Sequence, residues 1–144
     1  MAWTASRIFV AYLVDRIMNT NEMDLPADTV KVALYNNTTV PSHIVTAANS
    51  AYAVGEWVVA NEVHDDDGWP PGGNTAVDAL TDNTAVTVMY DITTDTASLD
   101  AHTTLANVYG CLVYDDTIAA PVADQGVCYN SFGGGEQTVG GRLQ

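Results

Sequence analysis

Positive charge is what this sequence has least of. Arg7, Arg16, Lys31 and Arg142 stand against 18 acidic residues, a formal charge of −14 at pH 7. With so little to neutralise phosphates, direct nucleic-acid binding is not expected, and neither is adsorption to an anionic membrane surface. Long apolar runs are missing too: none approaches the roughly 20 residues a membrane-spanning helix needs. Cysteine is limited to Cys111 and Cys128, with no wider framework of the kind that staples small secreted domains. If their two runs form a symmetrical hairpin, the thiols come close to opposed, so geometry alone leaves a bridge open. The expectation is nevertheless no disulfide: two buried free thiols acting as small hydrophobes, in a chain made in a reducing cytoplasm. Internal repeats and low-complexity tracts are absent.

What is present is enough apolar residue to fold. At 47% hydrophobic over 144 residues, disorder is excluded as a description of the whole chain, and a single domain over 1–144 is expected. The acids are scattered apart from Asp65–Asp67. They read as a solvated skin that repels copies of itself and associates most easily with a basic surface or through apolar contacts.

The chain is organised around Ala106–Phe132. Val108–Tyr114 is apolar on both alternating faces, with Val108, Leu112 and Tyr114 on one and Tyr109, Cys111 and Val113 on the other. Such a strand belongs inside a sandwich or barrel. The Asp115–Gln125 loop turns the chain back into Val127–Phe132, a central antiparallel hairpin. Upstream, Thr4 or Ser6 is placed to cap a helix over 6–19 whose stripe of Ile8, Phe9, Tyr12, Leu13 and Ile17 must be covered, by the sheet or by a neighbouring subunit. Thr29–Tyr35 alternates as a half-buried strand, Thr46–Ser50 is a short helical turn or loop, and Glu56–Val63 reads as a strand or extended edge. In the loop at 64–73, two prolines fix the approach of Trp69, which is expected as a packing anchor. Ala85–Ile92 is a further strand, Thr93–Thr104 a loop, Gly133–Gly135 a glycine hinge at a strand end, and Gln137–Val139 a short last run. The expected fold is mainly β: an antiparallel β-sandwich over 29–144 with jelly-roll or Greek-key connections and one N-terminal α-helix.

Chemistry-bearing patterns are sparse. Asp65 and Asp67 alternate as weak calcium candidates, but the glycine position and the closing Glu of a calcium loop are missing, so no metal is expected. His43, His64 and His102 lack zinc spacing. Eighteen acids guarantee accidental carboxylate pairs, so a pair alone says nothing about glycosidase chemistry. Ser131 sits in no nucleophile elbow, and the triple glycine lacks the Lys and following helix of a phosphate cradle. The thiols lie in apolar runs where they are inert. Neither catalysis nor a cofactor is expected.

The succession of the N-terminal helix, VKVALY with Asn36 and Asn37, GWPPGG at Gly68–Gly73, ANVYGCLVYDDT at Ala106–Thr117 and GVCYNSFGG at Gly126–Gly134 resembles a family of small virion structural proteins of tailed bacteriophages. Some of its members look like capsid decoration or minor capsid proteins. The similarity covers nearly the whole chain, and its longest motif, ANVYGCLVYDD, is a fold signature without a catalytic residue, so no functional site transfers with it. The resemblance implies a non-enzymatic structural protein made in the host cytoplasm and placed on the virion, on the capsid surface more than the tail. Its partners would be the major capsid protein, copies of itself, or both. Relatives are expected to continue past the glycine run through another strand or two; this chain stops at Gly141-Arg-Leu-Gln, so the sequence is cut short or a neighbour supplies the last strand. The residues expected to make the partner contact are Trp3, Ile8, Phe9, Tyr12 and Trp69, since a helix stripe beside exposed aromatics is a usual hot-spot pattern. An alternative expectation is a tail-associated receptor- or glycan-binding module, with exposed Trp57 or Trp69 beside Asp65–Asp67 stacking on sugars. A cupin-like enzyme would need the three histidines clustered.

Overall fold

A computed structural model of the chain describes residues 2–20, 23–83, 87–94, 103–139 and 142–143. The chain order is β1 (Arg7–Ile8), α1 (Val10–Met18), β2 (Val30–Tyr35), α2 (Ala47–Ser50), β3 (Asn74–Asn83), β4 (Thr87–Thr94), β5 (Leu105–Asp115), β6 (Gly126–Val139) and β7 (Arg142–Leu143). The strands form one sheet in the order β1-β6-β5-β2-β3-β4, with β7 also on β6 and every pairing antiparallel. The fold is mainly β with one N-terminal helix, and β5 returns to lie beside β2 in the order β5-β2-β3-β4. A second sheet facing the first is not found among the described residues. Loops and α1 supply the covering layers instead.

The central hairpin is β5–β6, with Leu112 opposite Tyr129 and Val113 opposite Cys128. β2 lies along the other side of β5, Ala33 opposite Leu112. β2 is not half-buried: apart from Lys31, all its residues are buried, on both faces of the strand. Val30, Val32 and Leu34 join an aliphatic cluster with Cys111, Val113, Val127, Met23 and the anchor Trp69. Ala33 and Tyr35 join an aromatic cluster with Trp3, Phe9, Trp57, Leu112, Tyr114 and Tyr129. Alternation thus sorts aliphatic from aromatic side chains across one sheet. One exception lies in β5: Val108 packs with Cys111 and Val113, not with Leu112. There β6 advances from Ser131 to Glu136 while β5 steps only from Gly110 to Val108, and such an irregularity re-aims side chains. The glycine run is therefore no strand end. Gly133, at φ +83°, lies within β6, which continues through Gln137–Val139.

Glu56–Val63 does not form a strand. Trp57 is drawn into the aromatic cluster, 5.2 Å from Tyr35 edge to face, and the flanking backbone turns at Ala53 and Gly55 in the left-handed region. Contact with β2 is restricted to its end, where the Val63 N–H donates to the Leu34 carbonyl and Glu62 bridges Tyr35. Thr46 caps α2 by accepting from the Asn49 N–H. β3, whose turn-rich sequence gave little strand signal, pairs with β2 only at Asn74 and Thr75, then runs on beside β4 as a two-stranded arm. The expected Ala85–Ile92 strand overlaps β4, which takes in Thr93 and Thr94; Ala85, Val86 and most of the expected 93–104 loop lie outside the described residues.

Candidate partner-docking surface

The N-terminal segment departs most from a simple amphipathic helix. A helix over 6–19 capped by Thr4 or Ser6 is corrected by a non-local pairing: Arg7 lies opposite Tyr129 and Ile8 opposite Cys128, so these residues extend the sheet as β1. The Ser6 hydroxyl accepts from the Ser131 N–H, and the Phe9 N–H donates to the Val127 carbonyl at 3.1 Å. Helix α1 begins only at Val10, with Phe9 in the cap position making no side-chain cap bond. It ends at Asn19, which takes the left-handed conformation that asparagine tolerates at a helix C-terminus.

Two groups tie α1 down. Phe9 at its start is fully buried, edge to face with Trp57 at 6.0 Å and Tyr129 at 5.6 Å, and Tyr12 is half-buried between the two clusters. Polar groups do the remainder: Asp15 accepts from the buried Gln125 amide and from the Thr20 hydroxyl, and the Arg16 guanidinium donates to the Met23 carbonyl. The Val10 N–H donates to the His43 carbonyl at 2.9 Å, fastening the loop before α2 against the helix start.

The side facing away is apolar. Val10, Leu13, Val14, Ile17 and Met18 are all exposed, Ile17 at 82% and Met18 at 66%. Their spacing of i, i+3, i+4, i+7 and i+8 is the apolar stripe of a helix that ordinarily packs against a core, and no residue of α1 is buried. Val40 and Ile44, also exposed, flank His43, and exposed Ile8 and Phe132 lie on the β1–β6 side. The stripe expected from the sequence mixed residues of both sides. The one that faces solvent was legible in the five-residue spacing itself, had Ile8 and Phe9 been given to the sheet.

Of the expected contact residues, Ile8 is exposed and Tyr12 half-buried, but Trp3, Phe9 and Trp69 are interior. Trp3 is fully buried, its indole N–H donating to the Asn36 carbonyl and its ring lying where a Cβ on Gly110 would stand, 2.3 Å away. Trp3 and Phe9 hold the N-terminus on the sheet, so as partner contacts they are corrected to core residues. Trp57 is likewise fully buried, which removes both tryptophans from any sugar-stacking platform.

Several other polar groups are committed internally. Asp65 accepts from the Asp67 and Thr104 backbone N–H groups and so pins its loop; Asp67 is exposed. Among the described residues no three His, Cys, Asp or Glu side chains are grouped to hold a metal ion, and His102 lies outside them. Glu62 accepts from the Tyr52 hydroxyl and the Gly72 N–H, both at 2.7 Å, while the Tyr114 hydroxyl donates to the Gly72 carbonyl. Tyr52 stacks on Tyr114 at 4.9 Å. Burial and the Glu62 bond hold the Tyr52 phenol well above its ordinary range, so it stays a neutral donor to Glu62, while its ring on Tyr114 and the Tyr114–Gly72 bond fasten the long 36–73 connection to β5. Cys111 and Cys128 are free, opposite Asn130 and Val113 respectively, and burial pushes their thiols up to about 12 and about 11. Thiols so protonated are poor nucleophiles. No described helix is long and apolar enough to cross a membrane.

Comparison of the chain with protein-family models, with curated proteins and with solved structures found no match in any of the three.

Proposed function

We propose that this chain is a non-enzymatic structural subunit of a tailed-phage virion, a capsid decoration or minor capsid protein that binds and stabilises the major capsid lattice. The observation that carries the reading is the outward apolar stripe of α1. A single chain gains nothing by holding five apolar side chains in water, whereas a protein built to join an assembly needs such a face. The resemblance of the VKVALY, GWPPGG and ANVYGCLVYDD motifs to virion proteins supports the same reading. So does the internal commitment of Glu62, Asp65 and the two thiols, which are used to hold the fold. Many identical copies, each adding a modest contact, stabilise a shell through symmetry and multivalency.

The test is addition of the purified protein to capsids that lack it. Saturable binding and a higher capsid melting temperature are expected, both reduced by Leu13→Asp. Capsids that neither bind the protein nor gain thermal stability would refute the proposal.

A further inference from the structure

The end of β5 buries a carboxyl group that no described cation neutralises. Asp115 is fully buried. Its Oδ1 accepts from the Thr117 N–H at 2.9 Å and the Ile118 N–H at 3.4 Å, whereas its Oδ2, also buried, takes no bond from any described N–H or hydroxyl. The strand register brings a second carboxyl group to it. Asp115 lies opposite Val30, the Thr29 N–H donates to the Thr117 hydroxyl at 2.6 Å, and the Asp116 N–H donates to the Thr29 carbonyl at 2.8 Å. Asp28 is thereby set beside Asp115 within hydrogen-bond reach, and its own Oδ2 accepts from the Asp24 N–H at 2.6 Å. The other charged and titratable groups around the pair are already engaged or neutral. From α1 come the Tyr12 phenol, raised by burial, Asp15 on the Gln125 amide and Arg16 on the Met23 carbonyl. From β6 comes the Cys128 thiol, pushed up to about 11 by burial. Beyond β5, Asp116 is paired with Lys31 at 2.8 Å, with Asp124 beside them.

We propose that Asp28 and Asp115 share one proton, and that this proton is a pH-sensitive clasp holding the Asp24–Asp28 turn on the end of β5. Two carboxylates in contact at a buried site do not both stay ionised, and a carboxylic acid supplies the donor that Asp115 Oδ2 otherwise lacks. When the proton leaves, Asp28, the half-exposed member, is the one free to turn to water. The turn goes with it, because the Asp24 N–H is bonded to Asp28. The last turn of α1 loosens as well, since Arg16 is tied to Met23 at the head of that turn. Burial, with Asp28 adding to it, holds the Asp115 carboxyl at about 6 against an ordinary 3.8. A folded value above the unfolded one means that the clasp is closed on the acid side and opens as pH rises through about 6. It works in this way whatever covers the outward stripe of α1.

Asp28→Asn separates a shared proton from burial alone, because asparagine keeps the shape and offers Asp115 an N–H donor at every pH. In carbon NMR of the full chain, the Asp115 carboxyl is expected to titrate near 6 in the unaltered protein and at least about one pH unit lower in Asp28→Asn. Amide hydrogen exchange reads the turn itself. The Ala27 N–H donates to the Asp24 carbonyl and the Thr29 N–H to Thr117. Corrected for the intrinsic pH dependence of exchange, both are expected to exchange at least about tenfold faster at about pH 7 than at about pH 5 in the unaltered protein, and to change little in Asp28→Asn. An Asp115 midpoint that does not move in Asp28→Asn, or corrected exchange equal at the two pH values in the unaltered protein, overturns the proposal. So does a melting temperature that millimolar calcium raises in the unaltered protein at neutral pH and not in Asp28→Asn, since a divalent cation would then join the carboxylates in place of the proton.

Discussion

β2 and α1 both carry apolar residues at the period of their own geometry, and the fold treats them oppositely. Val30, Val32 and Leu34 of β2 enter one core and Ala33 and Tyr35 the other, and Lys31, paired with Asp116, is the one β2 residue left partly exposed. Helix α1 turns Val10, Leu13, Val14, Ile17 and Met18 outward and holds itself down by Asp15, Arg16 and the ring of Phe9. Apolar periodicity says that a surface is to be covered. It does not say by what. In β2 the cover belongs to the same chain; on α1 it is not supplied by the described residues, and the account assigns it to assembly.

The contrast can be broken most severely in the core. Trp57 touches Trp3, Phe9, Tyr35 and Tyr129, so Trp57→Ala is expected to cost about 3–5 kcal/mol of stability in a denaturant titration. A cost below about 1 kcal/mol would mean that the aromatic cluster is not what holds the loop layer on the sheet.

A smaller effect comes from Asp115, fully buried at the end of β5. Burial pushes its carboxyl up to about 6, opposed by the Thr117 N–H and reinforced by Asp28 beside it. Its folded value lies above the ordinary 3.8, so between about pH 4 and 6 the folded chain binds the proton more tightly than the unfolded one. Its contribution is therefore greatest below about pH 4 and is lost as pH rises through 6, on the order of 3 kcal/mol in all. In unfolding free energies measured across that range, Asp115→Asn should flatten this part of the slope. An identical slope in the variant would exclude Asp115 as its source.

The smallest effect is expected on α1 itself. Ile17→Ala in dilute solution should change stability by no more than about 0.5 kcal/mol, as for an exposed surface position. A loss of 2 kcal/mol or more would place Ile17 in a core and dissolve the contrast with β2.

Much of this was legible in the residues. The β5–β6 hairpin follows from two apolar runs around a loop of Asp-Asp and Ala-Pro, and Trp69 as an anchor follows from its prolines. Both are signals confined to a few neighbouring residues. What failed was set at a distance. Ile8 and Phe9 suit a helix until Arg7 and Ile8 find Tyr129 and Cys128 on β6, and no local pattern announces a partner so far along the chain. Glu56–Val63 has strand propensity, but the pull of Trp57 into the aromatic cluster and a left-handed Gly55 decide otherwise. Trp3 was placed at a contact as an exposed aromatic beside the helix stripe, and Gly110 makes the gap that buries it. The exposed stripe lay in plain spacing, yet which side of α1 faces out depends on Asp15 meeting Gln125, again a tertiary fact.

The central claim is that the α1 stripe is open in the lone chain and covered in the assembly. Maleimide labelling of the Ile17→Cys chain tests it, because the two native thiols, held up at about 11 and about 12, react slowly. The account predicts fast labelling in dilute solution and at least about tenfold slower labelling once the protein is bound to capsids. Slow labelling in the dilute chain, or one rate under all conditions, would contradict it.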